Sequence, residues 1–197
     1  MILAAAVLAC AANVAPATLN AIVAVESGGR RWVLHDNTAG RRYHARSRAQ
    51  AAAWARSLIA RGHSVDVGLG QINSANLRRY GIDPAAALDP CTNLRLAGRI
   101  LTTDYRAAVV RWRPGQGALL HALSAYHHGS LMLDPAYLAR YHDRGGRSLA
   151  VDAADRPAPV GDHLVSPAAV RMRQAAPRIA AQDDAVYRRA ALAIPIR

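Results

Sequence analysis

The sequence predicts a mainly α-helical domain over residues 1–142, followed by a Pro/Ala/Arg-rich flexible tail over residues 143–197. Two observations carry this reading. Apolar residues recur at helical spacing between N-cap and Gly stop signals through the first part of the chain, and no sustained alternation of apolar and polar residues marks a strand. A third concerns size: 197 residues make one ordinary core with some chain to spare, not two full domains.

The elements follow in order. Pro16 suits a first helical turn, and Leu19, Ile22, Val23 and Glu26 then share one face until Gly28-Gly29 stops the helix. Residues 30–46 read as a polar loop. Ser47 and Gln50 have capping-box spacing ahead of a helix carrying Ala51, Trp54, Ala55, Leu58 and Ile59, which ends at Gly62. Gly68 to Asn73 reads as a turn leading into a short helix closed by Gly81. Asp89-Pro90 starts a longer helix with Cys91, Leu94, Gly98, Leu101 and Tyr105 inward. A further helix runs from Gly115 to Tyr126, with 127–133 as a loop, and Asp134-Pro135 starts a last one carrying Leu138 and Tyr141. Beyond Asp143 the pattern gives way to prolines at 157, 159, 167, 177 and 195, with no sign of a second core.

Composition narrows the function. With 52% hydrophobic and 19% charged residues the chain belongs among folding sequences, not disordered ones. All 25 basic residues are arginine and the net charge is +12, but the arginines are scattered and no nucleic-acid motif accompanies them, so no specific nucleic-acid partner is expected. The first 25 residues carry no charged side chain, yet Asn13, Pro16 and Asn20 interrupt them and no basic residue precedes the apolar run. Neither an export signal nor a membrane span is recognisable there. Cys10 and Cys91 are too far apart for a CxxC pair or a zinc site, which leaves one long-range disulfide or two buried thiols.

Glu26 is the one glutamate among 13 acidic residues. On the apolar face of a helix its charged form is penalised, which keeps the carboxyl protonated toward neutrality, as a general acid requires. A structural ion pair with Arg30 or Arg31 is the competing explanation. Gly68-Leu69-Gly70-Gln71-Ile72-Asn73 offers small residues for close approach of a ligand and two amides for hydroxyl or acetamido groups, and it lacks the context of a dinucleotide loop. Ala125-Tyr126-His127-His128-Gly129 places a phenol and two imidazoles at a helix end, without the spacing of a metal site. No metal and no cofactor are expected.

Taken in order, Glu26-Ser27-Gly28, Gly68 to Asn73, Asn93-Leu94 with Gly98, and Ala125 to Gly129 resemble the motif series of soluble lytic transglycosylase domains. The stretches 51–67 and 89–93 resemble most the branch attached to type IV secretion and conjugation systems, and the resemblance covers about residues 8–142. It implies a lysozyme-like helical fold of the goose-type kind, with a groove for peptidoglycan. The bond between N-acetylmuramic acid and N-acetylglucosamine is then cleaved with a 1,6-anhydro product, in the periplasm, opening the wall for a secretion or conjugation apparatus. Glu26 would be catalytic acid and base. Ser27, Gly68, Leu69, Gln71 and Asn73 would line the groove, and Tyr126 would hold the glutamate or the sugar. His127, expected to bind substrate as well, stands where asparagine is common, and Gly70 stands where methionine is commoner, a change expected to loosen a sugar contact. Cys10 and Cys91 match cysteine positions of the same branch, which implies a disulfide between them.

Two other functions fit parts of the pattern. A lysozyme-type hydrolase would need a second carboxylate, for which Asp36 and Asp66 are candidates, although both lie where turns and loops commonly use aspartate structurally. A non-catalytic assembly factor that binds peptidoglycan or secretion subunits would have no need of the intact Glu26.

Overall fold

Short polar side chains set the helix starts, and they do so where the sequence places them. In the computed structural model, which describes residues 9–145, a 3₁₀ turn at Ala9–Ala11 precedes α1 (Pro16–Glu26). α2 (Arg48–Ala60) begins at Ser47, whose hydroxyl accepts the Gln50 amide at 3.1 Å. α3 (Ser74–Tyr80) begins at Asn73, and α4 (Pro84–Ala87) at Asp83. α5 (Pro90–Val109) begins at Asp89, whose Oδ1 accepts the Thr92 amide at 2.9 Å. α6 (Gln116–His128) follows, and α7 (Pro135–Gly145) starts where Asp134 Oδ1 accepts the Tyr137 amide at 2.9 Å. Each such cap satisfies a donor that the first turn leaves unpaired. The expected tail lies, after its first three residues, outside the described residues, as do residues 1–8.

Two expectations need correction. The stretch 30–46 is not a plain loop: β1 (Val33–Asp36) and β2 (Arg41–His44) form a hairpin, and β3 (Val65–Val67) and β4 (Ile72–Asn73) complete an antiparallel sheet in the order β2-β1-β3-β4. The hairpin turn is made by Asp36, whose buried Oδ1 accepts the amides of Thr38 and Ala39 while its Oδ2 bonds His63 at 2.8 Å. Helix α6 also runs two residues past Tyr126. Gly129 takes the left-handed cap (φ 79°), its amide donating to Ala125 O at 2.7 Å, so His127 and His128 are helical.

Apolar residues divide into two clusters. One packs α1, α5, α6 and α7 through Leu19, Ile22, Leu94, Leu101, Leu123 and Tyr137. The other lies under the sheet, with Leu34, Ala55, Val65, Ile72 and Ile100. Tyr126 packs against both and marks the seam between them. Cys10 and Cys91 form the expected disulfide, tying the N-terminal turn to the start of α5 across 81 residues. Beside it Asn13 Nδ2 donates to Gly98 O and Thr102 Oγ1, and the missing side chain of Gly98 is what admits that approach: a Cβ would sit 3.0 Å from Asn13 Oδ1. Among the described residues no helix is long and apolar enough to cross a membrane.

Candidate active site

A cleft of about 560 Å³ opens along the seam, with Glu26, Asp66, Gln71, Asn73, Tyr126 and His127 in its wall. Glu26 ends α1, so its side chain emerges from the helical cluster into the cleft instead of into solvent. Its Oε1 accepts from the Tyr137 hydroxyl at 2.5 Å, and the Tyr137 oxygen lies 2.7 Å from that of Tyr141. With the Tyr137 proton committed to the carboxylate, Tyr141 is the donor to Tyr137, giving a chain that ends on Glu26. Oε2 has no protein hydrogen-bond partner among the described residues and is the oxygen left for a substrate.

Burial pushes the Glu26 carboxyl up to about 7 from an ordinary 4.5; the Tyr137 hydroxyl pulls it down, Asp66 adds to the rise, and Arg140 and Arg42 oppose it. The same burial raises the phenols of Tyr137 and Tyr141, so both remain proton donors at any working pH. Such a carboxyl shares its proton about evenly with water near neutrality, the condition for acting in turn as acid and as base.

The loop between β3 and β4 owes its shape to Asn93, a fully buried side chain on α5. Asn93 Oδ1 accepts the Gly70 amide at 2.7 Å while its Nδ2 donates to Val67 O and Ala87 O. Gly68 is required there: its φ is +76°, and a Cβ would lie 2.4 Å from Asn93 Nδ2. Gln71, itself at φ 47°, is on this loop and lines the cleft. Its Nε2 donates to Gly68 O and Val33 O, and its Oε1 is buried without a hydrogen-bond partner. A left-handed non-glycine residue with an orphaned buried acceptor is the kind of strain that sites retain.

Several expected groove residues lie elsewhere or are already engaged. Ser27 is buried: its hydroxyl donates to Val23 O and accepts from Gly29, finishing the helix end. Leu69 is part of the helical core and Gly68 lies behind the wall, so neither lines the cleft. Asn73 does line it, but its Oδ1 caps α3 and its Nδ2 donates to Ser64 Oγ and Asp66 Oδ1. Tyr126 reaches the cleft, yet its hydroxyl donates to Gly70 O at 2.6 Å and not to Glu26. Gly70 itself is closely packed, since a Cβ on it would come within 2.9 Å of that hydroxyl.

Reading the sequence missed Tyr137 and the placement of Asp66. Tyr137 and Tyr141 at i and i+4 on one helical face were the available signal. Asp66 sits on β3, not in a turn, with its two oxygens held by Asn37 Nδ2 at 2.8 Å and Asn73 Nδ2 at 2.7 Å. Burial raises its carboxyl despite those two donors. Asp36, the other candidate, is spent on the hairpin turn. Among the described residues no group of three or more His, Cys, Asp or Glu side chains is arranged to hold a metal ion.

A helical domain with a small antiparallel sheet and a glutamate at a helix end facing the cleft between them defines the lysozyme-like class. Residues 4–145 match the Transglycosylase SLT domain, and the chain belongs to that family. It is similar to Protein virB1 of Agrobacterium fabrum, 42% identical over 120 residues, which are 61% of this chain and 49% of that one. It is likewise 42% identical over 125 residues to the Type IV secretion system protein virB1 of Brucella abortus, covering 61% of this chain and 51% of that one. Protein virB1 of Rhizobium radiobacter is 40% identical over 123 residues, 62% of this chain and 51% of its own. The chain thus spans about half the length of the curated relatives it matches. No solved structure matches it.

Proposed function

We propose that the protein is a peptidoglycan lytic transglycosylase that cleaves between N-acetylmuramic acid and N-acetylglucosamine and leaves a 1,6-anhydro end. The observation that carries the reading is Glu26, a partly exposed carboxyl in a polar cleft, pushed up to about 7 and hydrogen-bonded on one oxygen only. In its protonated form Oε2 gives its proton to the glycosidic oxygen as the bond to the sugar's anomeric carbon breaks. The resulting carboxylate is stabilised by the Tyr137 hydroxyl, and it then takes the proton of the muramic acid 6-hydroxyl while that oxygen closes on the anomeric carbon. The proton balance is neutral over the cycle, so one carboxylate serves both steps.

Asp66, fixed by two amides on the sheet side of the cleft, supplies a negative charge toward the positive charge that develops on the sugar. Gln71 lines the same wall, its amide turned back onto Gly68 O and Val33 O. The similarity to proteins named for type IV secretion supports action in the periplasm, on the wall that such an apparatus must pass. Mass analysis of fragments released from purified sacculi tests the reaction. Anhydromuramic ends are the expected product, and reducing ends throughout would instead make the enzyme a hydrolase.

A further inference from the structure

Tyr137 holds the carboxylate, but something must hold Tyr137. Its phenol ring is packed edge-on by Tyr141, with centroids 5.3 Å apart at 78°, and the Arg140 guanidinium lies 5.9 Å from its centroid. Neither contact lies flat against the ring. His127 does: its imidazole lies parallel to the phenol, with centroids 4.0 Å apart and an interplanar angle of 1°. His127 lines the cleft and is exposed to it, so its ring stands between Tyr137, which is 1% exposed, and the space a substrate would fill.

We propose that His127 is a positioning residue, acting on Glu26 through Tyr137: the stacked imidazole fixes the plane of the phenol and so the direction from which its hydroxyl reaches Oε1. The inference rests on the reading of Glu26 as the acid and base. The position is set by helix geometry, because the Gly129 cap extends α6 just far enough to place residue 127 over the ring. The charge state agrees. Burial, with Arg140 and His128 nearby, holds the imidazole below its ordinary range against the opposing pull of Asp134 and Asp66, so the ring that stacks is the neutral one. No ring nitrogen of His127 has a protein hydrogen-bond partner among the described residues, which leaves the flat face as its contact with the site. The proton chain through Tyr141 and Tyr137 keeps its geometry only while the Tyr137 plane is held.

The test compares His127→Ala with His127→Phe, which keeps a flat ring and has no nitrogen. Because Glu26 is the chain's one glutamate, labelling with δ-13C glutamate gives a single carboxyl resonance whose titration can be followed by NMR in the full-length protein. In the alanine variant the carboxyl is expected to titrate higher, because the Tyr137 hydroxyl that pulls it down loses its fixed direction. Its kcat on sacculi should fall about ten- to a hundredfold, the scale for a misplaced catalytic group, with KM within about twofold. The phenylalanine variant should return both the titration and kcat to near wild type. An unchanged titration in His127→Ala would overturn the proposal. So would a rise in KM that phenylalanine fails to correct, which would mean that the imidazole bonds the sugar directly. If the wild-type protein cleaves no peptidoglycan, the reading of function fails, while the NMR comparison still decides whether His127 acts on Glu26.

Discussion

Tyr137 donates its hydroxyl to Glu26 Oε1 at 2.5 Å, across 111 residues of sequence, and this one bond joins the last described helix to the end of the first. It explains how a single carboxyl can be both well buried and competent as a base. Burial alone would make the ionised form too costly, and a donor whose own proton is secured by burial offsets part of that cost. The bond sets opposite demands on the two states of Glu26, and each can be read by substitution.

Glu26→Gln is expected to reduce turnover by at least about a hundredfold, the usual cost of losing a general acid. It should also change stability with a definite sign. The folded carboxyl binds its proton up to about 7 and the unfolded one only to about 4.5, so the native protein loses stability as pH rises between those values. Glutamine has no such loss. Relative to wild type the variant should therefore gain about 3 kcal/mol between pH 4 and pH 8, at ~1.4 kcal/mol per unit. Urea melts of both proteins at the two pH values measure it, and an equal difference at both would sink the assignment of a raised carboxyl.

Tyr137→Phe removes the group that pulls the Glu26 carboxyl down, so the alkaline limb of the pH–rate profile should move upward. A fall in kcat of roughly ten- to a hundredfold should accompany it, because the carboxylate formed after proton donation loses its donor. Tyr141 would be left with its own hydroxyl stranded beside an apolar ring, and about 1–3 kcal/mol of stability should go with it. A profile with the wild-type limb would show that the bond plays no part in titration.

Asp66→Asn should move the same limb the other way. Asp66 raises the Glu26 carboxyl, and removing its charge lets the glutamate ionise earlier, so activity is lost at a lower pH. The new amide must also face Asn37 and Asn73, two donors that had shared a carboxylate. Residual activity should still release anhydro ends. Its complete loss together with reducing ends in the wild-type digest would make Asp66 the second carboxylate of a hydrolase.

The helices could be read from the sequence because their ends are written in it: Ser47, Asp89 and Asp134 each cap the helix that was expected to follow. The sheet could not. In β1, Val33, Leu34 and Asp36 are all buried, so the strand shows no alternation. β2 is an Arg-rich edge, and β3 and β4 are too short for any period to emerge. Within the site, Glu26 stood out by its uniqueness and its place on an apolar face. Tyr137 did not, since a tyrosine at helical spacing reads as core, which it also is. Ser27 was misplaced for the opposite reason: its position next to Glu26 suggested the groove, but the chain turns at that point and the hydroxyl folds back on the helix. Asn93 belongs to the motif series by sequence, and the structure shows that it works by shaping the loop from behind.

The disulfide gives the last prediction. Cys10–Cys91 closes a loop of 81 residues, for which the chain-entropy treatment assigns about 4 kcal/mol, through restriction of the unfolded chain. Reduction, or Cys10→Ser with Cys91→Ser, should accordingly lower Tm by about 10–20 °C. The site should feel little of it below that temperature. The N-terminal segment keeps a second anchor, Asn13 on Gly98 O and Thr102 Oγ1, and the residues around Glu26 are held by α1, α6 and α7 without the sulfurs. Activity at 25 °C should thus survive reduction while the melting point falls. Parallel melts and sacculus digests with and without reductant separate the two effects. A Tm that ignores reductant would remove the disulfide's stabilising role, and equal loss of activity and Tm would show that the N-terminal anchor reaches the site.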